Sequence, residues 1–141
     1  MNGCMTRETR WIEGAWYRGG VDDDAPVYEL YTEARALLRA GDPVAAAAKL
    51  EEARDLDPSM GSIRELLGLA YLRGRRFVDA EAEMTIAVDL APNDPYRYYL
   101  LGRAQQGVGL LELARGSFKM ATWLDPRSDT YRRALERIQA A

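Results

Sequence analysis

The sequence has no histidine, one cysteine and two lysines (Lys49 and Lys119) among its 19 basic residues. Without histidine it lacks the commonest general base and the commonest metal ligand. Cys4 alone closes no internal disulfide, builds no zinc site and has no His partner for thiol catalysis. No apolar run approaches the ~20 residues that span a bilayer. Residues 1–8 lack the apolar stretch of a secretory signal, so a cytoplasmic location is expected. The net charge is −3, with 22 acidic residues. That balance argues against general affinity for nucleic acid or an anionic membrane. Asp22-Asp23-Asp24 lacks the alternating ligand spacing and distal Glu of a calcium loop and reads as a solvated linker. Gly107-Val108-Gly109 follows no predicted strand, so it is no phosphate loop. The acids Glu51-Glu52 and Glu81/Glu83 read as outer helix faces. No catalytic constellation emerges, and the chain reads as non-enzymatic with no cofactor and no metal.

What is present is periodic. Leu56-Asp57-Pro58, Leu90-Ala91-Pro92 and Leu124-Asp125-Pro126 recur every 34 residues. A fixed period in this range marks a stacked array of one small unit. From Val27 onward, apolar residues recur at helical spacing. The first unit reads as helices over about 27–40 and 43–56, with a turn at Gly41-Asp42. The second reads as 61–73 and 77–90, with a turn at Gly74-Arg75. The third reads as 95–107 and 110–124. Asp42-Pro43 and Asp94-Pro95 are helix starts. The proline of each recurring phrase is a stop, because the residue before Pro is pushed out of the helical region. Residues 128–140 form a final amphipathic helix, with Tyr131, Ala134, Leu135 and Ile138 on one stripe. An array needs such an end, since its last unit otherwise leaves an apolar face in water.

Aligned on the period, Ala34, Gly68 and Gly102 are small where two helices must approach closely. Leu37 and Tyr71 fill the next turn. Ala46, Ala80 and Ala114 align, as do Leu50, Met84 and Phe118, and Ala53, Ala87 and Ala121. Small residues one turn from large ones are what close helix packing requires. With Leu67-Gly68, Tyr71, Ala80, Met84, Ala87 and Pro92 in unit two, and Leu101-Gly102, Ala114, Phe118, Ala121 and Pro126 in unit three, the chain resembles the tetratricopeptide-repeat family. Unit one departs most, with Glu33-Ala34 at the usual large-apolar–Gly pair. Gln105 stands where an aromatic residue is usual.

The resemblance implies an all-α, right-handed superhelix of antiparallel helix pairs. Its units span 27–60, 61–94 and 95–128, followed by a capping helix over 129–141. It implies a concave groove lined by the first helix of each unit and receiving a peptide or protein segment. Helix geometry within that orientation places Tyr28, Tyr31, Arg35, Leu38 and Arg39 on the groove in unit one. Unit two supplies Ser62, Glu65, Leu66, Leu69, Leu72 and Arg73, and unit three Tyr96, Tyr99, Leu100, Arg103 and Gln106. Arg133 and Arg137 add to it from the end helix. Tyr and Arg are favoured at binding hot spots, and Arg clusters hold carboxylates. An acidic partner with apolar anchors is therefore expected. One subclass of the family grips chaperone tails with Lys and Asn. The matching places here hold Tyr31, Arg35, Leu66, Tyr96 and Leu100, so capture of that type is not expected.

Residues 1–26 form an arm of different composition. Trp11, Ile12, Ala15 and Trp16 would share one face of a short helix, which Gly19-Gly20 would end. Trp11, Trp16 and Tyr17 are its candidate anchors, and its net charge is −2. Three roles stay open: capping the first unit, lying in the chain's own groove, or exchanging between two chains to give a homodimer. Self-assembly and, less favoured, single-strand nucleic-acid binding are the alternative functions.

Overall fold

Each of the three recurring proline phrases stops a helix in the same way. The residues just before Pro58, Pro92 and Pro126 adopt φ/ψ of −142/84, −145/77 and −138/82. These extended conformations are what a following proline imposes. The computed structural model describes residues 9–12, 15–18 and 20–140, with side chains from Pro26 onward. Seven α-helices lie among the described residues: α1 (Gly20–Arg39), α2 (Pro43–Leu56), α3 (Gly61–Arg73), α4 (Phe77–Leu90), α5 (Pro95–Val108), α6 (Leu111–Leu124) and α7 (Asp129–Ala140).

The starts are as chemical as the stops. The Asp42 carboxylate accepts from the Ala45 amide at 3.1 Å and Asp94 from the Tyr96 amide at 3.0 Å, each just ahead of a proline at the head of its helix. The Ser128 hydroxyl accepts from the Tyr131 amide at 3.3 Å and opens α7. The turn inside each unit passes through the left-handed region at Gly41 (φ 84°), Arg75 (φ 60°) and Gly109 (φ 96°).

Successive helices pack on one another from α1 to α7, and α3 also touches both α1 and α5. The helices α1, α3 and α5 therefore form the inner row of a curved stack. The aligned alanines and Leu50, Met84 and Phe118 are all buried. Each fully buried large side chain contributes roughly 1.5–3 kcal/mol. Ile138 closes the far end, packed with Ala114, Phe118 and Tyr99. Gln105, in place of the usual aromatic residue, is buried and its carbonyl accepts from the Ser117 hydroxyl at 2.6 Å. A hydrogen-bonded pair thus fills the space of a ring, and neither group is left unsatisfied.

Two expectations for the first 26 residues are corrected. Thr9–Ile12 (β1) and Ala15–Arg18 (β2) are not helical; they pair antiparallel, with Trp11 opposite Trp16. Thr, Trp, Ile and Tyr suit a pleated surface better than a short helix containing glycine. The acidic linker is also absorbed, because α1 begins at Gly20 and carries Asp22–Asp24 near its start. Acidic side chains are favourable at a helix N-terminus.

Candidate functional site

The inner row of helices presents a string of cavities. At one end Val27, Tyr28 and Tyr31 of α1 face Asp57, Met60 and Ser62, enclosing about 410 Å3. Tyr28 is 72% exposed there. In the middle, Arg35, Leu38 and Arg39 of α1 face Leu66, Leu69 and Arg73 of α3 around about 220 Å3. At the far end Tyr99, Arg103 and Gln106 of α5, with Phe118, face Ala134 and Arg137 of α7 around about 400 Å3.

The arginines with described side chains fall into three groups, one of which (Arg75, Arg127 and Arg133) neither pairs with a carboxylate nor lines one of these cavities. Arg54, Arg64, Arg76, Arg97, Arg115 and Arg132 pair with carboxylates. Arg35, Arg39, Arg73, Arg103 and Arg137, which line the cavities, form no ion pair among the described residues. Arg35 lies over the Tyr31 ring and Arg103 over the Tyr99 ring, each at 5.9 Å. These are i, i+4 pairs one turn apart, so each guanidinium is braced by the aromatic ring below it. Arg73 donates to the Leu38 carbonyl at 3.2 Å, which draws it across the middle cavity.

Not every expected residue is free to bind. Glu65 accepts from Arg97 at 3.1 Å, and Arg97 also reaches the Ala87 carbonyl at 2.8 Å. Burial pushes the Glu65 carboxyl above the usual range, against the lowering effect of Arg97. Leu72 and Leu100 are buried in the core, and Leu38 nearly so. Tyr99 is shared: it packs 6.0 Å from Phe118 and 5.3 Å from Tyr131, with Tyr96 stacked at 6.3 Å. Burial raises the Tyr96 and Tyr131 hydroxyls above their ordinary pKa. Arg133 is exposed but lines none of the three cavities. The side chains of Trp11, Trp16 and Tyr17 lie outside the described part. Met60 and Phe118 were not expected at the groove. Met60 lies in the link between units, where helical periodicity carries no signal, and Phe118 reaches the cavity past Gly102 from the opposite helix.

Among the described residues no group of three or more Cys, His, Asp or Glu is placed to hold a metal ion. No described helix is long and apolar enough to cross a membrane.

The tetratricopeptide-repeat family profile matches residues 31–95. Residues 31–95 carry tetratricopeptide repeats. Solved structures extend the likeness across the right-handed helical stack. The tetratricopeptide-repeat domain of Arabidopsis OM64 superimposes with a TM-score of 0.79 at 19% identity, covering 84% of this chain and 98% of that one. The second such domain of human RPAP3, solved with the HSP70 peptide SGPTIEEVD, gives 0.78 at 18% identity over 83% and 98% of the two chains. MamA from Desulfovibrio magneticus gives 0.79 at 27% identity, over 81% of this chain and 64% of that one. No curated protein matches at the sequence level.

Proposed function

We propose that this tetratricopeptide-repeat chain is a protein-interaction module whose inner groove receives an acidic segment with apolar anchors. The observation that carries this reading is that five arginines without a described acid partner line these cavities and no ion-paired arginine does, while Arg75, Arg127 and Arg133 are unpaired elsewhere. These five guanidiniums are exposed, and each gains from a carboxylate that a partner brings and shields from water. The chemistry varies along the row. Tyr28, Tyr31 and Met60 offer an apolar seat at one end. The middle cavity has an aliphatic floor of Leu66 and Leu69 under an arginine rim, which suits the methylenes and carboxylate of a Glu side chain. With neighbouring helices about 10 Å apart, the row from α1 to α5 spans about 20 Å, or roughly six extended residues. The peptide bound by the RPAP3 domain, SGPTIEEVD, is likewise acidic.

Fluorescence anisotropy with degenerate peptide panels tests the proposal. Asp/Glu-rich panels should bind and Lys/Arg-rich panels should not. Affinity should fall with added salt, and by about tenfold or more in an Arg35→Ala, Arg39→Ala, Arg73→Ala variant. Equal binding of both panels would end this reading.

Self-association is a second reading, favoured by one patch. Leu113, Met120 and Trp123 lie exposed along one side of α6, with Trp123 76% accessible. One repeat earlier the same places hold Asp79, Ile86 and Asp89, and two repeats earlier Ala45, Glu52 and Asp55. Light scattering over a concentration series decides it: a constant monomer mass removes this second reading.

A further inference from the structure

The cavity between α5 and α7 differs from the other two, and its content bears on what the partner carries. Two guanidiniums, Arg103 and Arg137, border one space of about 400 Å3 together with the Gln106 amide, and no acid lines it. Neither arginine pairs with a described carboxylate. Both come from helices fixed to each other by the cluster of Tyr99, Phe118 and Ile138. Arg103 is further braced over the Tyr99 ring, which Phe118 and Tyr131 hold in turn. Two charges from helices packed on each other therefore border one polar recess, without the aliphatic floor of the middle cavity.

We infer that this recess holds a phosphorylated serine or threonine of the bound segment. A carboxylate brings one negative charge and leaves one of the two arginines uncompensated. A phosphoryl group brings −1.5 to −2 at neutral pH and three acceptor oxygens, enough to engage both forks and the Gln106 amide. The inference rests on the groove being the binding surface, and it adds that phosphorylation of the partner controls occupancy.

Three degenerate nine-residue peptide libraries, with a fixed central phosphoserine, glutamate or serine, test it on the full chain. Retention on immobilised protein is compared for wild type, Arg103→Ala, Arg137→Ala and Arg39→Ala, each checked for helicity by circular dichroism. The phosphoserine library should be retained about tenfold better than the glutamate library by wild type, as expected for one or two added charge-assisted hydrogen bonds. That advantage should vanish in Arg103→Ala and Arg137→Ala, whereas Arg39→Ala should weaken the phosphoserine and glutamate libraries alike. Equal retention of the glutamate library by wild type, or an advantage that survives both substitutions, overturns the inference. If the glutamate library still binds and still depends on Arg39, the groove reading stands while the phosphate reading falls. If no library binds, both fall.

Discussion

Gly68 and Met84 touch so closely that even a methyl group on the glycine would collide with the thioether. One repeat later the same relationship joins Gly102 to Phe118, where an added Cβ would lie 2.6 Å from the ring edge. The two pairs differ in what can yield. A thioether tail swings aside; a ring packed against Tyr99 does not. Gly102→Val should therefore lose about 2–3 kcal/mol, and Gly68→Ala less, about 1 kcal/mol, because buried Met84 must shift while Ala regains helix propensity. Chemical denaturation checks the ranking, and a Phe118→Leu background should relieve much of the Gly102 penalty.

Arg75 occupies the left-handed turn position that Gly41 and Gly109 fill in the other units. Its guanidinium lies 5.4 Å from the Phe77 ring centre, a contact too weak to offset the backbone cost. Arg75→Gly should stabilise the fold by about 1 kcal/mol, read as an upward shift of a few degrees in Tm.

Glu83 is buried and accepts from Arg54 at 2.8 Å and from Arg64 at 2.9 Å, tying α2, α3 and α4 together. Glu83→Ala leaves two half-buried guanidiniums facing each other. A loss of roughly 3 kcal/mol is expected in urea denaturation, with Arg54→Ala costing less because Arg64 still satisfies the carboxylate.

Tyr71 donates to Glu51, and burial, reinforced by that bond, pushes its hydroxyl up from 10.0 to about 12. The folded state therefore holds this proton more tightly than the unfolded chain. Its contribution is complete below pH 10 and is lost as pH rises through about 12. Melting temperatures taken between pH 9 and pH 11 should fall less steeply in Tyr71→Phe than in wild type.

The repeats were legible because backbone chemistry repeats with them: Pro58, Pro92 and Pro126 stop helices wherever they stand. The small–large pairs Gly68–Met84 and Gly102–Phe118 were legible for the same reason. Arg75 was not, since nothing in its side chain announces a left-handed backbone. The hairpin of Thr9–Ile12 and Ala15–Arg18 escaped because Trp11, Ile12, Ala15 and Trp16 fit a helical face equally well. At the groove, sequence placed Arg35, Arg39, Arg73 and Arg103 on the first helix of each unit and Arg137 on the end helix. It could not show that Glu65 is held by Arg97, a partner 32 residues away. Nor could it separate Leu72 and Leu100 from the groove, for helix neighbours differ by only part of a turn between core and surface.

The five cavity-lining arginines sit in a chain whose net charge is −3, so the remaining residues together carry −8. The positive charge at the middle and far cavities is therefore local, set within an acidic whole. Under the proposed function, that local charge should steer an anionic strand toward the inner row before any contact forms. Ionic strength should thus act chiefly on the speed of capture, and the lifetime of the complex should rest on the cavities themselves.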